Sequence, residues 1–299
     1  MPASAITALL TGLVDYAGLF PPAALDMPDA VREYAGYRRG THAWMLGRFV
    51  LPVGRLGEFE QDADALLPRD AAGAWGLAVL ASPDLAETVK LVGEFNCRHA
   101  ASGAAAVVAD TLELKASTPA EIARMLPTLP TWLVPYVETP VHQDPAPCIE
   151  SLARHGGRAK VRTGGVAESA FPTAAEVARF IVQCTRAHVP FKATAGLHHP
   201  LRGEFRLTYD PTSPSGTMFG FLNVFLAAAL AQTGAGEPDV ARLLEERDPA
   251  ALTFSGDGAR WRDHHIPLEA LRAARAGAIS FGSCSFREPV DDLTAMGLL

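Results

Sequence analysis

The chain has 299 residues, of which 48% are hydrophobic, enough for a sizeable core as one large α/β unit or two ordinary domains. Its 26 basic and 33 acidic side chains give a net charge of −7 without a Lys/Arg block, which argues against nucleic acid and anionic membrane surfaces as partners. No apolar run spans a bilayer, the N-terminus lacks the basic segment of a secretion signal, and the four cysteines form no C-x-x-C pair, so a cytoplasmic protein without a disulfide framework or cysteine-built zinc cluster is expected.

In chain order, apolar segments alternate with helical patterns. Leu13–Tyr16 reads as a first strand, followed by a Pro- and Gly-marked loop and a helix from Ala30 to Arg39. Arg48–Val53 precedes a helix over Leu56–Leu67. Trp75–Leu80 precedes one whose N-cap signal is Ser82-Pro83-Asp84. A fourth strand, Val107–Lys115, leads to the capping box Thr118-Pro119-Ala120-Glu121. Leu133–Glu138 leads to a helix opened by Asp144-Pro145 and ended at Gly156-Gly157. Ala159–Arg162 leads to a second capping box at Thr173–Glu176, and Pro190–Thr194 is the seventh strand. A helix over Leu268–Arg275 precedes the eighth strand, Ala278–Gly282.

Short aliphatic runs alternating with helices indicate parallel strands buried on both faces. Eight such units with no linker or composition break predict one domain over residues 1–299, a single (β/α)8 barrel. Residues 201–261 are irregular: an apolar helix (Met218–Ala231), a second helix (Asp239–Arg247) and a hairpin-like FSGDGARW. They are expected as an insertion between strand seven and the last helix, near the rim of the active face. The apolar helix would cover the barrel mouth as a lid or bury itself against a second subunit in a homo-oligomer. Asn223 within it reads as a satisfied buried amide, and Cys97 and Cys184 as core residues.

In such barrels the chemistry sits at the C-terminal ends of strands. Polar residues at those ends are Asp15, Glu113 or Lys115, Glu138, Lys160 with Arg162, Lys192 with Thr194, and Ser283 to Ser285. Lysine inside a buried strand is costly unless paired or neutral. Lys160 and Lys192, one strand–helix unit apart, therefore point either to a structural ion-pair network or to covalent catalysis, in which a lysine amine adds to a substrate carbonyl. The Schiff-base route needs no cofactor.

The pair KVRTGG and FKATAGL resembles the two lysine motifs of deoxyribose-phosphate aldolase, K-T-S-T-G and K-A-S-G-G-I, in a family of class I aldolases on (β/α)8 barrels. DYAGLFP at Asp15 is similar to that family's D-H-T-L-L-K-P, FGSCS at Phe281 to its strand-eight G-T-S-S, and VPYVET around Glu138 to its strand five. The resemblance implies a small carbonyl substrate, phosphorylated or not. It assigns Lys160 as the Schiff-base nucleophile, Lys192 as the neighbour that lowers its pKa, and Asp15 as part of a proton relay. Gly164, Gly196, Gly282, Cys284 and Ser285, with Ser283, Thr194 and Arg162 beside them, would form the substrate and phosphate site. The family's strand-four aspartate has no clear counterpart, Glu113 being the candidate with Asp110 and Lys115 as rivals. Arg162 stands where a small hydroxyl residue is expected, Cys284 replaces a serine, and residues 201–261 have no counterpart.

Two other readings stay open. His198-His199 and His264-His265, with Glu138 or Asp15, could bind a divalent metal for lyase or hydrolase chemistry, although no H-x-H or H-x-x-x-H spacing supports it. Alternatively, Lys160, Arg162 and Lys192 would hold an acidic metabolite without turning it over.

Overall fold

The computed structural model describes residues 4–68, 73–101 and 106–299. Helix α1 (Ser4–Leu10) precedes β1 (Val14–Tyr16), α2 (Met27–Arg39), β2 (Leu46–Pro52), α3 (Leu56–Ala63), β3 (Trp75–Leu80) and α4 (Leu85–Ala101). The alternation continues through β4 (Val107–Lys115), α5 (Pro119–Met125), β5 (Val134–Glu138), α6 (Ala146–His155), β6 (Arg158–Arg162), α7 (Ala174–Arg186) and β7 (Phe191–Thr194). An excursion follows: hairpin β8 (Gly203–Arg206) and β9 (Ser215–Met218), helices α8 (Phe221–Gln232) and α9 (Glu237–Leu244), and strands β10 (Leu252–Phe254), β11 (Gly258–Trp261) and β12 (His264–Pro267). Then α10 (Leu268–Gly277), β13 (Ala278–Ser283) and α11 (Arg287–Ala295) end the chain.

Eight parallel strands close in the order β1-β13-β7-β6-β5-β4-β3-β2, so the fold is a (β/α)8 barrel, as the alternation predicts. Ala159 and Val161 of β6 and Phe191 and Ala193 of β7 are buried, and the two-residue period puts Lys160 and Lys192 on the other face, inside the barrel. Among the described residues no helix is long and apolar enough to cross a membrane.

Both capping boxes form: Thr118 and Thr173 accept the N–H of Glu121 and Glu176, whose carboxylates return to the cap backbone. Gly156 ends α6 in the left-handed conformation, φ +70°. Several boundaries move. Helix α2 starts at Met27 because Asp26 caps it, and α4 starts at Leu85 because Asp84, not Ser82, accepts the Glu87 N–H at 3.0 Å. Helices α1 and α11 fall in segments not read as helices from the sequence, although Ile6, Leu9 and Leu10 of α1 sit at helical spacing, and Cys97 is exposed rather than core.

Residues 201–261 do not form one rim structure. Helix α8 is no lid: it packs between α7 and α10 in the outer layer, and its Phe221 and Phe225 rings lie 5.2 and 6.0 Å from Phe281 of β13. The three-stranded sheet lies against α1 and α10. Only the β8–β9 hairpin reaches the mouth, through Leu207 and Met218. Asn223 is satisfied, as expected: its amide donates to the carbonyls of Leu243 (2.8 Å) and Glu246 (2.9 Å) and accepts from the Arg202 N–H at 2.8 Å.

Candidate functional site

Strand register brings the charged residues together. Lys160 pairs with Lys192 across β6 and β7, and Glu138 of β5 pairs with Lys160. Lys192, 2% exposed, donates to Asp15 Oδ2 at 2.7 Å and Glu113 Oε1 at 2.6 Å. Lys160, 5% exposed, lies 2.7 Å from Glu113 Oε2 and 3.0 Å from Glu138 Oε2. Arg162 then closes on Glu138, Nε to Oε1 at 3.1 Å and Nη2 to Oε2 at 3.5 Å. Three carboxylates thus alternate with three cations. Such buried pairs hold only when each charge keeps its partners, because the desolvation cost is large.

Asp15 is fixed from three sides. Ser280 Oγ donates to Oδ2 at 2.7 Å, and the Arg48 N–H donates to Oδ1 at 2.8 Å. Position 47 is glycine for the same reason: a Cβ there would lie 2.3 Å from Asp15 Oδ1. Burial pushes the Glu113 carboxyl up, but the charges of Lys192 and Lys160 outweigh it and bring its pKa down to about 2. Burial likewise disfavours the Lys192 ammonium, yet Asp15 and Glu113 hold its pKa above the ordinary value. Lys192 is a fixed cation.

Of the two rivals of Glu113, Asp110 is engaged elsewhere and Lys115 lines a separate cavity of about 440 Å³ beside Glu113 and Lys160. Asp110 takes a bidentate pair from Arg48, at 2.9 and 2.8 Å, and Lys115 is exposed. With Arg158, which donates to the Tyr136 hydroxyl at 2.9 Å, Arg48 and Asp110 fill part of the barrel interior with polar pairs that no sequence motif announces.

A cavity of about 260 Å³ opens over the network, lined by Lys160, Glu113 and Arg162 and walled by apolar side chains such as Phe20, Val50, Leu80, Leu207 and Met218. Lys192 and Asp15 lie outside its lining. Thr194, Gly196, Gly282 and Cys284 line it, whereas Gly164, Ser283 and Ser285 do not. The Phe171 ring packs against Gly164, so that a Cβ there would meet it. Ser283 Oγ donates to the Ser285 carbonyl at 2.7 Å, and Ser285 Oγ accepts the Glu288 N–H at the start of α11. These three positions of the expected phosphate site serve packing and capping.

The four histidines do not converge. His264 stacks on Trp261 with ring centroids 5.1 Å apart, and His265 lies 3.8 Å from Asp257, both in the outer sheet. His198 and His199 instead meet two carboxylates one turn apart on α11: His198 Nδ1 to Glu288 at 3.0 Å and His199 Nδ1 to Asp292 at 2.6 Å. Among the described residues no group of three or more His, Cys, Asp or Glu side chains is arranged to hold a metal ion. The Tyr209 hydroxyl, beyond the β8 strand, also donates to Glu288 at 2.9 Å, and Cys284 Sγ lies 3.9 Å from His198 Nδ1. Burial would lower the His198 pKa, but Cys284 and Glu288 raise it to about 9. His198 is therefore a cation at neutral pH, at the cavity edge. Glu288 and Tyr209 were not foreseen, since nothing local to either marks its partner.

Comparison of the chain with protein-family models and with curated protein sequences gave no match to either.

Proposed function

We propose that the chain is a Schiff-base-forming, class I aldolase or lyase acting on a small carbonyl compound. One observation carries this reading: the Lys160 amine borders the cavity while Lys192, level with it on the next strand, lies beneath, and one carboxylate, Glu113, touches both. Lys192 is held charged by two carboxylates and lies outside the cavity lining, so Lys160 is the amine that meets a substrate.

In this mechanism Lys160 reacts as its free amine, the proton it gives up passing through the cavity to solvent, while Glu113, which also borders the cavity, and Glu138 hold the amine in place. The freed lone pair adds to the substrate carbonyl carbon, and loss of water gives an iminium ion. The electron pair of the adjacent carbon–carbon bond moves into the iminium, releasing a carbonyl fragment whose hydroxyl proton passes to a carboxylate. Protonation of the enamine and addition of water then free the second product and Lys160. Reduction with borohydride in the presence of small aldehydes and ketones, followed by peptide mass mapping, tests this: an adduct on Lys160 is expected. Absence of any adduct across a broad carbonyl panel overturns it.

The balanced pairing of Asp15, Glu113 and Glu138 with Lys192, Lys160 and Arg162 favours a second reading, a barrel that binds an acidic metabolite without turnover. It expects anion binding by calorimetry with no adduct.

A further inference from the structure

The guanidinium of Arg162 is partly engaged. Its Nε/Nη2 edge lies on Glu138, while Nη1 has no partner among the described residues. The side chain is 42% exposed and borders the cavity. Glu138 Oε2 accepts from Arg162 Nη2 at 3.5 Å and lies 3.0 Å from Lys160 Nζ, so amine and guanidinium are neighbours across a single oxygen atom. Guanidinium edges match carboxylates in a planar, two-bond fit.

We propose that the substrate is a 2-oxo acid, its carboxylate held by the free edge of Arg162 while its C2 carbonyl reacts with Lys160. This rests on the Schiff-base reading above. In a 2-oxo acid the carboxylate is one bond from the carbon that joins the amine, so the group that binds it has to neighbour Lys160, as Arg162 does across Glu138. The loops after β6 and β13 are less suited to a phosphate, because Phe171 backs Gly164 and the Ser283 hydroxyl already donates to the Ser285 carbonyl. The apolar wall of Val50, Leu80, Leu207 and Met218 faces the remainder of the substrate.

The covalent step balances without a further reactant. The Lys160 lone pair forms the C–N bond at C2, the carbonyl oxygen leaves as water with two protons, one from the nitrogen and one from solvent in place of the proton that Lys160 gave up, and the iminium retains the carboxylate bonded to Arg162.

Borohydride trapping on the intact chain with pyruvate, 2-oxobutyrate, acetaldehyde and propanal, mapped by mass spectrometry, tests the proposal. Lys160 is expected to be labelled by the 2-oxo acids at lower concentration than by the aldehydes. In Arg162→Leu and Arg162→Gln the ratio of pyruvate to propanal labelling is expected to fall about tenfold or more, with Arg162→Lys in between. Thermal melting of each variant reports whether it folds, and the wild-type preference can be read without them. Labelling of Lys160 by aldehydes with no preference for 2-oxo acids, or variants with an unchanged ratio, overturns the carboxylate assignment and leaves the Schiff-base reading standing. No labelling by any of the four overturns both.

Discussion

Glu113 gives one carboxylate oxygen to each lysine, Oε1 to Lys192 at 2.6 Å and Oε2 to Lys160 at 2.7 Å. The lysines lower its pKa from 4.5 to about 2, so between these values the unfolded chain binds the proton that the native chain refuses. The stabilisation is fully present above pH 4.5 and is lost as pH falls toward about 2. Urea midpoints across this window are expected to fall less steeply for Glu113→Gln than for the wild type. At neutral pH that variant should be less stable by about 3–5 kcal/mol.

Removing Lys192 leaves the buried Asp15 carboxylate without a cation and Glu113 with Lys160 alone. Lys192→Met should cost about 3–5 kcal/mol in denaturant unfolding. Asp15→Asn made in the same chain should restore part of that loss, so the double variant is more stable than the sum of the single effects. Strict additivity would mean that the two side chains do not share their energy.

The hairpin at the mouth is tied down through Tyr209 to Glu288, which also takes His198. The His198 pKa is raised from 6.5 to about 9, so the stabilisation from its charged form is full below 6.5 and disappears as pH rises through about 9. Trypsin cleavage after Arg206, relative to an unstructured control peptide, should accelerate over that range. His198→Asn should cleave fast at both ends of it, and Tyr209→Phe should loosen the hairpin by about 1 kcal/mol.

Asn223→Leu leaves the Arg202 N–H and the carbonyls of Leu243 and Glu246 without their partner. Urea unfolding should show a loss of about 2–4 kcal/mol. Lys160, in another part of the molecule, should still be trapped by whatever carbonyl compound labels the wild type.

The barrel was legible because its signals are local: each strand is a short aliphatic run, and the Thr118 and Thr173 boxes mark helices that start at the next residue. Lys160 and Lys192 were legible because charge inside such a run is anomalous by itself. What the sequence did not show was every relationship closed in space. Glu113 could be ranked against Asp110 only once Arg48 was seen to neutralise the latter. The adjacent histidines suggested a metal because their acceptors, Glu288 and Asp292, lie some ninety residues on in a helix that the pattern missed. The excursion looked like one unit, since nothing in its composition tells which part faces the cavity and which packs on α1.

Helix α8 bears on how this chain could be altered. Because it lies against Phe281 and between α7 and α10, it is the stave over β13, delivered late after a detour to the mouth. Trimming residues 201–261 to a short loop would strip the outer wall from β13, the strand paired with the one that carries Lys192. The detour can be shortened only on its outer-sheet side, and any transplant of the two-lysine site into another barrel has to carry α8 with it.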